Sequence, residues 1–167
     1  MPFSTPNVAR LQARGDTEGL LKATRYKQDA EVREAARLAL CEQIDFLIGK
    51  LDTRNLRQLL IVRDALVACG PPAVDAMIFV HTDHQSVNRR QDTAYVLGMV
   101  GDPRAVPVLL DALRDNDAAL RMVAAAALGK IGDPDAADAL RLAALKDSNA
   151  QVRKAASRAF RKISEAG

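Results

Sequence analysis

Gly101-Asp102-Pro103-Arg104-Ala105-Val106-Pro107-Val108-Leu109-Leu110-Asp111-Ala112-Leu113-Arg114-Asp115, then Leu120-Arg121-Met122-Val123-Ala124-Ala125-Ala126-Ala127-Leu128, then Gly132-Asp133-Pro134, is the stretch on which the fold turns. The second Gly-Asp-Pro stands 31 residues after the first, and the same step backward lands on Gly70-Pro71-Pro72. A glycine suits a helix end that needs φ > 0. The aspartate that follows can cap the next helix, whose first position tolerates proline because its N–H would be unbonded anyway. Short polar breaks, Asp115-Asn116-Asp117 and Asp147-Ser148-Asn149, close the other side of each unit. Each unit is therefore read as two antiparallel helices of roughly three turns, whose apolar face is buried only by stacking on neighbouring units.

Working outward, Val32–Leu40, Leu120–Leu128 and Val152–Phe160 superpose as second helices. Their first, fourth, fifth, eighth and ninth positions are apolar, the i, i+3, i+4, i+7, i+8 stripe of a helix, and the second position is always arginine. The expected organisation is one domain over 1–167, in units of about 6–43, 44–69, 70–100, 101–131 and 132–165. Three places break the pattern, the first being the last unit, where Leu120 to Val152 is 32 residues. The unit near 45–69 has only Phe46–Leu51 as a brief first helix. The helix over 86–100 carries Arg89 and Asp92 where others are apolar, which predicts either a rotated helix or a buried ion pair.

Composition agrees with close-packed helices: 167 residues, 49% hydrophobic but 4% aromatic, with no Trp. The net charge of +3 is unevenly placed. Residues 1–83 balance 11 cations with 11 anions, whereas 151–167 hold Arg153, Lys154, Arg158, Arg161 and Lys162 against Glu165. Two cysteines with unrelated flanks, Cys41 and Cys69, do not describe a disulfide framework and are expected reduced. With no apolar leader and no run near the ~20 residues that span a bilayer, a cytoplasmic location without membrane contact is expected.

The stretch Asp102–Asp115 followed by Leu120–Gly132 resembles the HEAT-like repeat, in the short subtype first described in phycobilisome lyases, and the resemblance runs over nearly the whole chain. It implies an all-α fold, a right-handed α-α superhelix (solenoid) of about five helical-hairpin repeats. It also implies that Asp29, Arg33, Asp117, Arg121, Asp147 and Arg153 form a structural ladder of hydrogen bonds between units. The second helices of such an architecture line a concave face. There, position three supplies Glu34, Leu60, Gln91, Met122 and Lys154, and position six supplies Arg37, Arg63, Ala94, Ala125 and Ser157. An apolar floor of alanines with Tyr95, Met99 and Met122, rimmed by Arg37, Arg63 and Lys130, suits a partner helix or peptide.

Chemical motifs are sparse. His81-Thr82-Asp83-His84 is the one cluster with ligand chemistry, but no third ligand has a readable position, so no metal and no cofactor are expected. The iron-binding His-Glu motifs of the HEAT-repeat hydroxylases are absent. Cys41, Cys69, Tyr26 and Tyr95 form no recognisable bilin-attaching constellation, and neither a nucleophile elbow nor a phosphate loop occurs. The expectation is a non-enzymatic protein-protein interaction or scaffold module, with another protein or peptide as partner and without a small-molecule substrate or catalytic residue. Nucleic-acid binding, with phosphate contacts from Lys154, Arg158, Arg161 and Lys162, is the alternative. A subunit of a bilin-lyase-like complex is the third reading.

Overall fold

The computed structural model describes residues 5–83 and 86–165, and among these residues there is no strand. The chain divides into two compact units, Met1–Ala73 and Val74–Gly167. The first contains α1 (Val8–Ala13), α2 (Thr17–Ala23), α3 (Ala30–Cys41), α4 (Ile44–Gly49) and α5 (Leu56–Cys69). The second contains α6 (Val74–Asp83), α7 (Val87–Val100), α8 (Val106–Ala112), α9 (Ala118–Ile131), α10 (Ala137–Lys146) and α11 (Ala150–Ser164). The brief first helix expected near Phe46–Leu51 is α4 with a 3-10 turn, Lys50–Asp52.

In the second unit the hairpins are α6–α7, α8–α9 and α10–α11, and the second helices pack in the order α7, α9, α11. Gly101 (φ 77°) and Gly132 (φ 80°) end α7 and α9 in the left-handed conformation, where a side chain would be strained. Asp102 and Asp133 then accept the amides of Arg104 and Asp135. The prolines do not open the α-helix directly. They open 3-10 turns, Pro103–Ala105 and Pro134–Ala136, closed by the Ala105 and Ala136 amides on the Asp102 and Asp133 carbonyls.

Alanine dominates because the second helices lie very close together. A Cβ on Gly98 would stand 2.5 Å from Ala127 Cβ, and one on Gly129 would stand 2.6 Å from Ala159 Cβ. Ala124, Ala125, Leu128 and Ala156 fill this seam without exposure. Within the first unit α2, α3 and α5 pack on one another around the fully buried Leu20, Leu40 and Leu66, while Leu47 of α4 is equally buried. Ala35 of α3, placed by periodicity on the buried stripe, is exposed, because α3 packs through Ala36, Ala39 and Leu40.

The helix α7 is the polar exception. Asp92 and Thr93 are buried on it, His81 of α6 is 5% exposed, and His81 Nδ1 lies 2.9 Å from Thr93 Oγ1. No single described helix is long and apolar enough to cross a membrane.

Candidate functional site

The repeated arginines have structural work. Arg121 binds Asp147 with two N–H groups at 2.8 and 3.0 Å, while its third nitrogen donates to the Asp115 and Asn116 carbonyls. Arg153 donates in the same way to the carbonyls of Asp147 and Ser148, and Arg33 to those of Tyr26 and Lys27. Arg90 takes the corresponding place on α7 and reaches Asp115 at 2.6 Å. Arg121 thus both locks its own turn and grips a carboxylate of the next turn. Those hydrogen bonds hold the Asp147 carboxyl below the usual carboxylate range. For Asp115 the Asp117 amide comes first and Arg90 second. Asp29 and Asp117 serve chiefly as helix caps. Each accepts amides at the start of its helix, α3 or α9, and Asp117 also accepts from Gln91.

The expected concave-face residues fall on both units. Tyr95, Met99 and Met122 are exposed by 38, 39 and 37%, and Lys130 Nζ rests on Met99 Sδ at 2.8 Å. Ala94 and Ala125, expected as an open floor, are instead completely buried in the α7–α9–α11 stack. In the first unit Arg63 is half-buried, and Arg37 is held by both carboxylate oxygens of Glu34 at 2.6 and 2.9 Å. The C-terminal cations Lys154, Arg158, Arg161 and Lys162 lie exposed on α11, with Arg161 3.7 Å from Glu165.

Of the histidine cluster, His84 lies outside the described residues. His81 points inward to Thr93, and burial, then the Arg90 charge, keep its pKa below the ordinary histidine value. Among the described residues no group of three or more His, Cys, Asp or Glu could hold a metal ion.

A basic cavity of about 760 Å³ in the first unit escaped the sequence reading. Arg10, Arg14, Lys22, Arg25 and Lys27 line it beside Tyr26, and no carboxylate does. Lys22 and Arg25 also reach out to Glu18 and Asp64 at 2.9 and 3.2 Å. Counting charge over 1–83 averaged this cluster away. The signal was local: five cations between positions 10 and 27 against Asp16 and Glu18.

A model of HEAT repeats matches residues 75–161, just over half of the chain. The chain belongs to the HEAT-repeat family. This HEAT-repeat chain is 40% identical over 74 residues to deoxyhypusine hydroxylase of Bos taurus, a match that covers 43% of the chain and 24% of that enzyme. It is 29% identical over 142 residues to a phycobilisome maturation protein of Synechococcus elongatus, covering 84% of the chain and 64% of that protein. The structure of human deoxyhypusine hydroxylase superposes with a TM-score of 0.60 at 26% identity, over 93% of the chain and 65% of the enzyme. The chain thus spans about a quarter of the bovine enzyme it matches and under two thirds of the other two proteins.

These likenesses establish the all-α HEAT solenoid fold and correct the functional expectation. The anticipated non-enzymatic module, with its nucleic-acid alternative, gives way to an enzymatic connection, since sequence and structure both align with a hydroxylase. The expectation failed for a physical reason. Stacked hairpins bury the same stripe whether the repeat serves an enzyme or a scaffold, so repeat grammar carries no information on chemistry.

Proposed function

We propose that this chain serves an enzymatic reaction that matures another protein, holding the polypeptide while it is modified. The observation that carries the reading is the likeness to a hydroxylase at 40% identity, alongside the broader likeness to a maturation protein. Four exposed side chains of the second unit support the reading. Tyr95 and Met99 on α7, with Met122 and Lys130 on α9, offer amphipathic and adaptable side chains on neighbouring second helices. The basic hollow of the first unit supports an anionic reactant, because Arg10, Arg14 and Lys27 line it together with Lys22 and Arg25, which also pair with Glu18 and Asp64.

The test is a comparison of protein masses in the native host with and without the gene. One protein is expected to lose a stoichiometric modification in the deletion. The wild-type gene restores it, and Tyr95→Ala/Met99→Ala, folded by circular dichroism, does not. An unchanged set of protein masses in the deletion overturns the reading.

A further inference from the structure

Cys41 and Cys69 are 28 residues apart in sequence, yet they close two helices that pack together, as the last residues of α3 and α5. Cys41 is half-buried and Cys69 is buried. Cys41 Sγ lies 3.7 Å from the Cys69 carbonyl oxygen, which sets the two cysteines against one another. Arg37, one turn before Cys41, holds the pair together. Its Nη1 is 3.8 Å from Cys41 Sγ and 3.3 Å from the Cys69 carbonyl. Glu34 grips the rest of the guanidinium, which fixes its direction. A cavity of about 430 Å³ opens beside it, lined by Arg33, Glu34, Arg37 and Ala68, the neighbour of Cys69.

We propose that Cys41 is a thiol–disulfide exchange site resolved by Cys69, so that a small anionic disulfide converts the two thiols into a reversible Cys41–Cys69 bridge. The asymmetry of the pair sets the order of events. Burial first, and the adjoining Cys41 thiol second, push the Cys69 thiol up to about 12. Cys69 therefore stays protonated while the accessible Cys41, beside a fixed cation, is the thiol that meets an incoming disulfide.

The Cys41 thiolate forms a bond to one sulfur of the small disulfide, whose other sulfur leaves as thiolate and takes up the proton Cys41 released. Cys69 then gives its proton to the second leaving thiol as its sulfur bonds to Cys41. Two protein thiols are oxidised by two electrons, and one disulfide is reduced to two thiols. Glu34 offsets the Arg37 charge at the cavity, which leaves Arg33 to favour an anionic reagent.

The test uses the full chain and oxidised glutathione near neutral pH, followed by alkylation, intact mass and peptide mapping. The expected product has lost the mass of two hydrogens, carries one peptide joining Cys41 to Cys69, and reverts with dithiothreitol. Cys69→Ser should stop at a glutathione adduct on Cys41, and Cys41→Ser should not react. Arg37→Gln should slow adduct formation on the order of tenfold. A wild-type chain that stops at an adduct without bridging overturns the proposal. So does a Cys41→Ser chain that reacts as fast as wild type, or a folded chain inert where the urea-unfolded chain reacts.

Discussion

Arg121 shows how one side chain turns a repeated letter into a repeated contact. It closes its own turn through two carbonyls and grips the next turn through both oxygens of Asp147. Removing the carboxylate by Asp147→Ala leaves a largely buried guanidinium half-bonded, so stability should fall by about 2 kcal/mol in urea unfolding. In a double-mutant cycle with Arg121→Ala the two costs should be strongly non-additive, whereas additive costs would show that the pair contributes nothing of its own. Arg121→Lys should not restore the loss, because an ammonium cannot serve two carbonyls and both carboxylate oxygens from one plane. Gly129 makes a second point at this scale. On an exposed helix Gly→Ala stabilises by about 0.5–1 kcal/mol. Here the new Cβ would stand 2.6 Å from Ala159 Cβ and 2.8 Å from Ala159 Cα, so Gly129→Ala should instead cost about 1–3 kcal/mol. Adding Ala159→Gly should recover part of that cost in the same denaturation assay.

At the scale of elements, the α6–α7 hairpin shows what sequence could and could not convey. The helix ends were legible because their signals are local: a glycine that must turn left-handed, a capping aspartate, a proline. Arg89 and Asp92 announced that α7 differs, and Asp92 is indeed buried, while a salt bridge joins the neighbouring Arg90 to Asp115 across 25 residues. Periodicity within one helix cannot reach that partner. The same limit hid Ala94 and Ala125, whose open groove closes once α7, α9 and α11 approach to glycine distance. This hairpin also carries a pH dependence. Folded His81 has a pKa below its ordinary value, chiefly through burial, whereas unfolded His81 titrates near 6.5. The unfolded chain therefore binds a proton first as pH falls. The His81 contribution is intact above about pH 6.5, shrinks below it, and levels off once folded His81 is also protonated. His81→Gln should be flatter over this window when urea midpoints are followed from pH 7.5 to 5. An equal slope in the variant would place the dependence elsewhere.

For the molecule as a whole, a net charge of +3 conceals two basic regions with different surroundings. The cations of α11 stand on a helix surface, and Arg153 is already committed to carbonyls. Those of the first unit line an open hollow of about 760 Å³, where several exposed charges can act on one ligand at once. A ligand that binds only the folded chain stabilises it by RT ln(1 + [L]/Kd), about 1.4 kcal/mol at ten times Kd. Each kcal/mol raises the melting temperature of a chain this size by roughly 2–4 °C. Pyrophosphate should therefore raise the melting temperature of this protein by a few degrees at low ionic strength, with the rise fading as sodium chloride screens the site. Arg14→Ala/Lys27→Ala should abolish the rise, while Lys154→Ala/Lys162→Ala should leave it unchanged. If the C-terminal pair governs the rise instead, the cavity is not where anions bind, and the anionic reactant proposed for the first unit has no site there.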